Sequence, residues 1–269
     1  MAISSRILSF LACISAVLPA PTFAETVTVG GVGSLSPLVK KLAEAYGQKN
    51  PGVDIVVVHP PLGTRGGIRA LASGKIDLLL SGRELKPDEA AQSTPWVQTP
   101  LVLATNRGKT SGFTRAQLAD VYAWRKNTWD DKNPIRLVLR GEQETETRDL
   151  RAMSPEIDAA VASALKRGDL PIAENDLDAL DTLTRVPGSF GTTSLGLVTA
   201  SDSKLVVVPI DGMKPSIKVV EDGSYRWLRR YHLGMAKAPR PATTAFYTWL
   251  KSPPAIDAAR KLDYLPIKP

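Results

Sequence analysis

Three short runs bring hydroxyls, small residues and a guanidinium together: Gly33-Ser34, Gly63-Thr64 and Ser81-Gly82-Arg83. Each run offers a hydroxyl, and its small residues leave backbone N–H groups accessible. Arg83 adds a planar, permanently charged fork. Such donors suit the capture of an anion.

The elements that must position them follow from the pattern around Thr26–Leu85. Thr26–Gly30 is a predicted strand, followed by a glycine-rich loop. Ser36 is the expected N-cap and Pro37 the first helical residue, with Leu38, Leu42 and Tyr46 at helical spacing. Asn50-Pro51-Gly52 stops that helix. Asp54–His59 is a second strand and Pro60–Thr64 a second loop. Ile68 and Leu71 mark a short helix that ends at Gly74. Ile76–Ser81 is a third strand. Strands alternating with helices at this spacing imply a parallel sheet, and ligands bind beyond the carboxyl ends of its strands. The three runs lie at three such ends. Two of them open directly into helices, whose free N–H groups and partial positive charge attract anions.

These residues carry a resemblance to the phosphate-binding proteins of bacterial ABC importers. Gly33-Ser34, Gly63-Thr64-Arg65-Gly66-Gly67-Ile68 and Ser81-Gly82-Arg83-Glu84-Leu85-Lys86 are similar to the first lobe of that family. The last run resembles the S-S-R-E-L-K of its shorter members. Further on, Arg140 and then Thr145-Glu146-Thr147-Arg148-Asp149 stand where the family carries an arginine and S-G-T-R-D. Pro187–Val198, Tyr225–Tyr231 and Asp263–Ile267 resemble later family segments, and Arg229 falls at a family arginine. The resemblance implies a two-lobed α/β periplasmic-binding-protein-like fold of type II. Each lobe is a mostly parallel sheet flanked by helices, with a hinge between the lobes. Residues 25–104 plus 227–269 form lobe one and 105–226 form lobe two. It implies ligand contacts from Ser34, Thr64, Ser81 and Arg83 in lobe one, and from Arg140, Thr145 and Thr147 in lobe two. It also implies hinge closure around a small oxyanion, phosphate first, and possible ABC permease partners in the inner membrane.

The sequence departs from the family at two places. Glu146 replaces the glycine of S-G-T-R-D, and Glu142 and Glu144 add negative charge. Carboxylates beside an anion site repel a dianion unless they point away. In longer members an aspartate after the third strand reads the phosphate proton. Gly82 stands there, with Glu84 or Glu146 as substitutes.

The remaining chain supplies predicted elements. Pro87–Gln92 reads as a short helix and Thr99–Asn106 as an extended run. Thr114–Gln117 is a capping box. Trp124 and Trp129 read as core or loop anchors. Ile135–Leu139 is a strand, and helices are expected from Ser154 and over Asp176–Thr184. Leu205–Ile210 is another strand, with helices over Ala242–Leu250 and Pro254–Lys261.

Composition bounds the reading. The chain has 269 residues, 43% of them hydrophobic, enough for two cores. Its formal charge is +7, but the basic residues are scattered and match no nucleic-acid-binding motif. Residues 1–24 read as a secretory signal. Arg6 leads, an apolar run spans 7–20, and Thr22-Phe23-Ala24 precedes a cleavage site. The mature chain is expected to be periplasmic or secreted. Leu11-Ala12-Cys13 is the competing lipoprotein site. The apolar run continues past Cys13 to Ala20, which favours cleavage after Ala24. Cys13 is the single cysteine, so the mature chain carries no thiol or disulfide chemistry.

No cofactor is expected. Gly31-Val32-Gly33 is followed by Ser36 instead of a third glycine, and the second strand ends in His59-Pro60 without a ribose-binding acid. His59 and His232 are the only histidines and lack metal-ligand spacing. Glu142, Glu144 and Glu146 read as a solvated rim. The favoured function is non-enzymatic. Two rivals stay open: a sensory or adaptor module of the same fold with another ligand, and a secreted phosphate-ester hydrolase.

Overall fold

The computed structural model describes residues 24–267. The expected leader and Cys13 lie outside the described residues, except Ala24. The chain runs β1 (Glu25–Gly31), α1 (Ser36–Gly47), β2 (Val53–Val57), α2 (Gly63–Ala72), β3 (Leu78–Ser81) and β4 (Gln92–Thr105). It continues through α3 (Arg115–Tyr122), β5 (Arg136–Arg140), α4 (Thr145–Arg151), α5 (Pro155–Leu165), β6 (Ile172–Ala173) and α6 (Asp176–Arg185). Then come β7 (Ser189–Ser194), α7 (Leu195–Ala200), β8 (Val206–Val208), α8 (Ile217–Glu221), β9 (Leu228–Met235), α9 (Pro241–Leu250), α10 (Pro253–Arg260) and β10 (Leu265–Pro266).

The strands order as β2-β1-β3-β9-β4-β7-β5-β6, with β8 and β10 also on β4. The β1–β2 and β1–β3 pairs are parallel, as the alternating pattern requires. β9 inserts antiparallel between β3 and β4. β4 joins the two halves. Its first part, Gln92–Pro100, pairs with β9, and Leu101–Thr105 pairs with β7 and β8.

Two large apolar clusters sit on either side of this crossing. One gathers β1, α1, β3, the start of β4, β9, α9 and α10 around Leu38, Tyr231, Phe246 and Tyr264. The other runs from Leu101 to Ile210, gathers around Tyr122, Trp129 and Phe190, and takes Trp227 at its edge. Each lobe thus has its own core, and β4 runs from one sheet half into the other.

Several local readings change. Leu35, not Ser36, caps α1, because a 3-10 turn at Gly33–Leu35 feeds straight into the helix and Ser36 becomes helical. Pro87–Gln92 is not a helix. It is a turn ending in β4, and Glu89 ties it down through the Lys86 N–H and the Arg83 guanidinium. Trp129 is buried core, whereas Trp124 is 38% exposed with Arg167 stacked on it at 4.2 Å. The Thr114/Gln117 capping box forms with both reciprocal bonds.

Gly31 sets the first loop. Its φ is +137°, and a Cβ there would lie 1.9 Å from the Leu80 carbonyl oxygen. Only glycine fits that backbone. Gly31→Ala is expected to cost at least about 2 kcal/mol from backbone strain and overlap with β3. Urea unfolding measures it.

Candidate functional site

The candidate residues fall into an outer cleft and an inner buried cluster along the seam between the lobes. The outer cleft encloses about 440 Å³. One wall is α2, from its first turn (Gly63, Thr64, Arg65, Gly66) to Arg69 in its last, with Leu62 and Arg83. The facing wall is Gln143, Glu144, Thr145 and Arg148. The lobes touch at its floor, where a Cβ on Gly82 would meet Thr145 Oγ1 at 3.1 Å. Position 82 is therefore too close to the second lobe for the aspartate of longer family members.

Lobe-one residues reach this cleft already engaged. Thr64 is helical, at the second position of α2, and its hydroxyl accepts from the Gly82 N–H at 3.0 Å. Its own proton stays free to donate. The Ser81 hydroxyl turns back on its own loop. It donates to the Arg83 carbonyl at 2.6 Å and accepts from the Arg83 N–H at 3.2 Å. The Arg83 fork grips Glu89 through both terminal nitrogens, at 2.7 and 2.6 Å. That bond holds the Glu89 carboxyl down at about 2. In this conformation the charge of Arg83 is already balanced.

The inner cluster lies under the first loop. Ser34 is 1% exposed. Its N–H donates to the Asp176 carboxylate at 3.2 Å, across the seam from α6. Its Oγ has no hydrogen-bond partner among the described residues. Arg140 is 5% exposed and donates to the Ala173 carbonyl at 2.6 Å. Thr147 donates to the Arg140 carbonyl at 3.1 Å, so its hydroxyl also turns inward. Sequence reasoning missed Asp176 altogether. An acid in the first turn of a helix gives no hint that it crosses to another lobe.

The three glutamates separate. Glu142 stays outside and pairs with Arg151 at 3.2 Å. Glu144 lies at the cleft, 3.5 Å from Arg140 and 3.8 Å from Arg65. Glu146 corrects the solvated-rim reading, being only 2% exposed. α4 begins at Thr145, so position 146 rotates inward. Its carboxylate sits 3.7 Å from Arg140 Nε and 3.6 Å from Arg229 Nη1. Burial, with Asp176 beside it, pushes the Glu146 carboxyl up to about 8 against the pull of both arginines. Arg229, on β9, is 2% exposed and also pairs with Asp149 at 3.2 Å. Burial raises the Asp149 carboxyl too. Glu84 lies away from this cluster on the surface.

The seam thus brings Ser34, Arg140 and Thr147 to the inner cluster, and Thr64, Arg83 and Thr145 to the outer cleft. It adds Arg65, Arg69 and Arg148 to the cleft, and Glu146, Asp176 and Arg229 to the cluster. Among the described residues no group of His, Cys, Asp and Glu could hold a metal ion. No described helix is long and apolar enough to cross a membrane.

A family model described as a PBP superfamily domain matches residues 18–254. The chain belongs to the PBP superfamily. This PBP-superfamily chain is 36% identical over 106 residues to the phosphate-binding protein PstS 2 of Streptococcus pneumoniae. That match covers 38% of this chain and 36% of the relative, so the chain spans little more than a third of the relative's length. It is 22% identical over 227 residues to the phosphate-binding protein PstS of Staphylococcus saprophyticus, covering 76% of this chain and 67% of that one. Among solved structures, a putative phosphate ABC transporter substrate-binding protein from Clostridium perfringens, with bound phosphate, superposes with a TM-score of 0.74. The identity is 19%, over 91% of this chain and 100% of that one. This neighbour shares the two-lobed binding-protein fold.

Proposed function

We propose that this chain is an extracytoplasmic binding protein that captures a phosphate-type oxyanion for an ABC importer. The observation that carries the reading is the outer cleft, where arginines from both lobes surround the N-terminal turn of α2. Free N–H groups and fixed cations there favour a compact anion. The two relatives named for phosphate binding support phosphate as the first candidate. Export past a cleaved leader, delivery to permease subunits, and capture without catalysis or nucleic acid belong to the same reading. So do the lobe limits of 25–104 plus 227–269 and 105–226. Closure would carry Thr145 and Arg148 toward Thr64 and Arg83, with β4 and β9 as the hinge strands.

A thermal-shift titration of the full chain tests this with phosphate, sulfate, molybdate and acetate. A ligand at a hundred times its dissociation constant adds about 2.7 kcal/mol of stability. Phosphate is expected to raise Tm and acetate to leave it unchanged. In Arg83→Ala, phosphate affinity is expected to fall roughly tenfold, the scale of one charge-assisted hydrogen bond. Unaltered affinity would remove Arg83 from the site.

One observation favours a second reading, an adaptor of the same fold. The Ser34 N–H, expected to hold an anion, already holds Asp176. If no oxyanion moves Tm, the adaptor reading takes the lead.

A further inference from the structure

The inner cluster and the outer cleft offer an anion very different terms. In the inner cluster the protein's own carboxylates stand near the donors, although Ser34 Oγ, Arg140 Nε and Arg229 Nε and Nη1 have no hydrogen-bond partner among the described residues. Asp176 takes the Ser34 N–H at 3.2 Å, and Glu146 lies 3.7 Å from Arg140 and 3.6 Å from Arg229. A dianion entering there would meet the Asp176 and Glu146 carboxyl groups, the latter held protonated by burial up to about pH 8, in a weakly screened setting. In the outer cleft Glu144 is the single lining acid. Arg65 lies 3.8 Å from it and Arg83 is matched by Glu89. Arg69 and Arg148 have no carboxylate within ion-pair distance among the described residues, and they stand on opposite walls. The cleft thus has two uncompensated positive poles, one on each lobe.

Size points the same way. Inorganic phosphate fills only a small part of 440 Å³, which lies in the range of about 300–1,000 Å³ typical of organic-ligand pockets. Gly63 and Gly66 leave room along one wall, and Leu62, 36% exposed, gives it an apolar edge.

We infer that the ligand of the outer cleft is a small organic acid phosphomonoester. Its phosphate lies at one pole of the cleft and its carboxylate at the other, bridging Arg69 and Arg148. The inference rests on the oxyanion-capture reading and narrows its ligand class. A carbon spacer is what lets one molecule reach both walls, so binding itself draws the lobes together.

The test is calorimetric titration of the full chain with phosphoglycolate, glycerol phosphate and inorganic phosphate. Phosphoglycolate is expected to bind at least tenfold tighter than either of the others. Arg69→Ala and Arg148→Ala, both at exposed positions, are each expected to reduce that preference to under threefold without changing the ligand-free Tm. Phosphate binding as tightly as phosphoglycolate would overturn the inference while leaving oxyanion capture standing. Glycerol phosphate matching phosphoglycolate would overturn the carboxylate pole. A preference untouched in both variants would overturn the bridging geometry. No binding of any of the three would overturn the inference together with the reading beneath it.

Discussion

Glu146→Gln is expected to remove a pH dependence from the stability of this protein. Burial, with Asp176 alongside, raises the Glu146 carboxyl to about 8 in the folded chain. Unfolded, it titrates in the usual carboxylate range near 4.3. The folded state therefore holds its proton more tightly. The stability this gives is fully present below the unfolded value and is lost as pH rises through about 8. Every tenfold difference in proton affinity between the two states is worth about 1.4 kcal/mol, so the loss amounts to a few kcal/mol across that window. Glutamine keeps the shape and cannot ionise. The stability of the variant relative to the parent should climb steadily from pH 5 to 8.5 in urea unfolding. Asp149 and His232 are also shifted by burial, but they are common to both chains and cancel in the difference. A gap that stays constant with pH would mean that Arg140 and Arg229 keep Glu146 ionised throughout.

Arg229→Ala is expected to be the most damaging single change at the seam, at about 3–5 kcal/mol, the cost of breaking a buried ion pair from one side. The side chain is 2% exposed, and its guanidinium lies 3.2 Å from Asp149 and 3.6 Å from Glu146. Removing it leaves Asp149 half-buried without its partner and drives Glu146 further toward the protonated form. Arg229→Met, which retains most of the stem, should recover part of the loss. The double variant Arg229→Met with Glu146→Gln should exceed Arg229→Met only in alkaline solution, above about pH 8, because Glu146 is protonated below it. Chemical unfolding of the three proteins checks the order. If Arg229→Ala costs under about 1 kcal/mol, the cluster is a set of contacts without a structural charge balance.

The first lobe was largely legible because its signals are local. Gly31, the Ser36-Pro37 helix start, the Gly63-Thr64 helix start and the apolar β3 lie within sixty residues, and their parallel pairing follows from the alternation. Boundary errors arose where a neighbour outside the window decided the outcome. Pro87–Gln92 became a turn because Arg83 and Lys86 bind Glu89 there. Ser36 lost its cap position to the preceding 3-10 turn.

The site was legible only by type. The sequence alone determined that hydroxyls, glycines and arginines would gather at strand ends and helix starts, because those positions follow from local periodicity and turn chemistry. It also marked Glu146 as an acid at an anion-binding run. Only the tertiary structure decided what each group touches. Ser34 and Asp176 are 142 residues apart in the chain and meet across the seam. Arg229 reaches Glu146 and Asp149 because β9 returns beside β4. Arg69 and Arg148 face one cleft because α2 and α4 come from different lobes. Side-chain type and helical phase are properties of a short stretch. Charge compensation and burial depend on distances between stretches, and the packing of the two lobes against each other sets those.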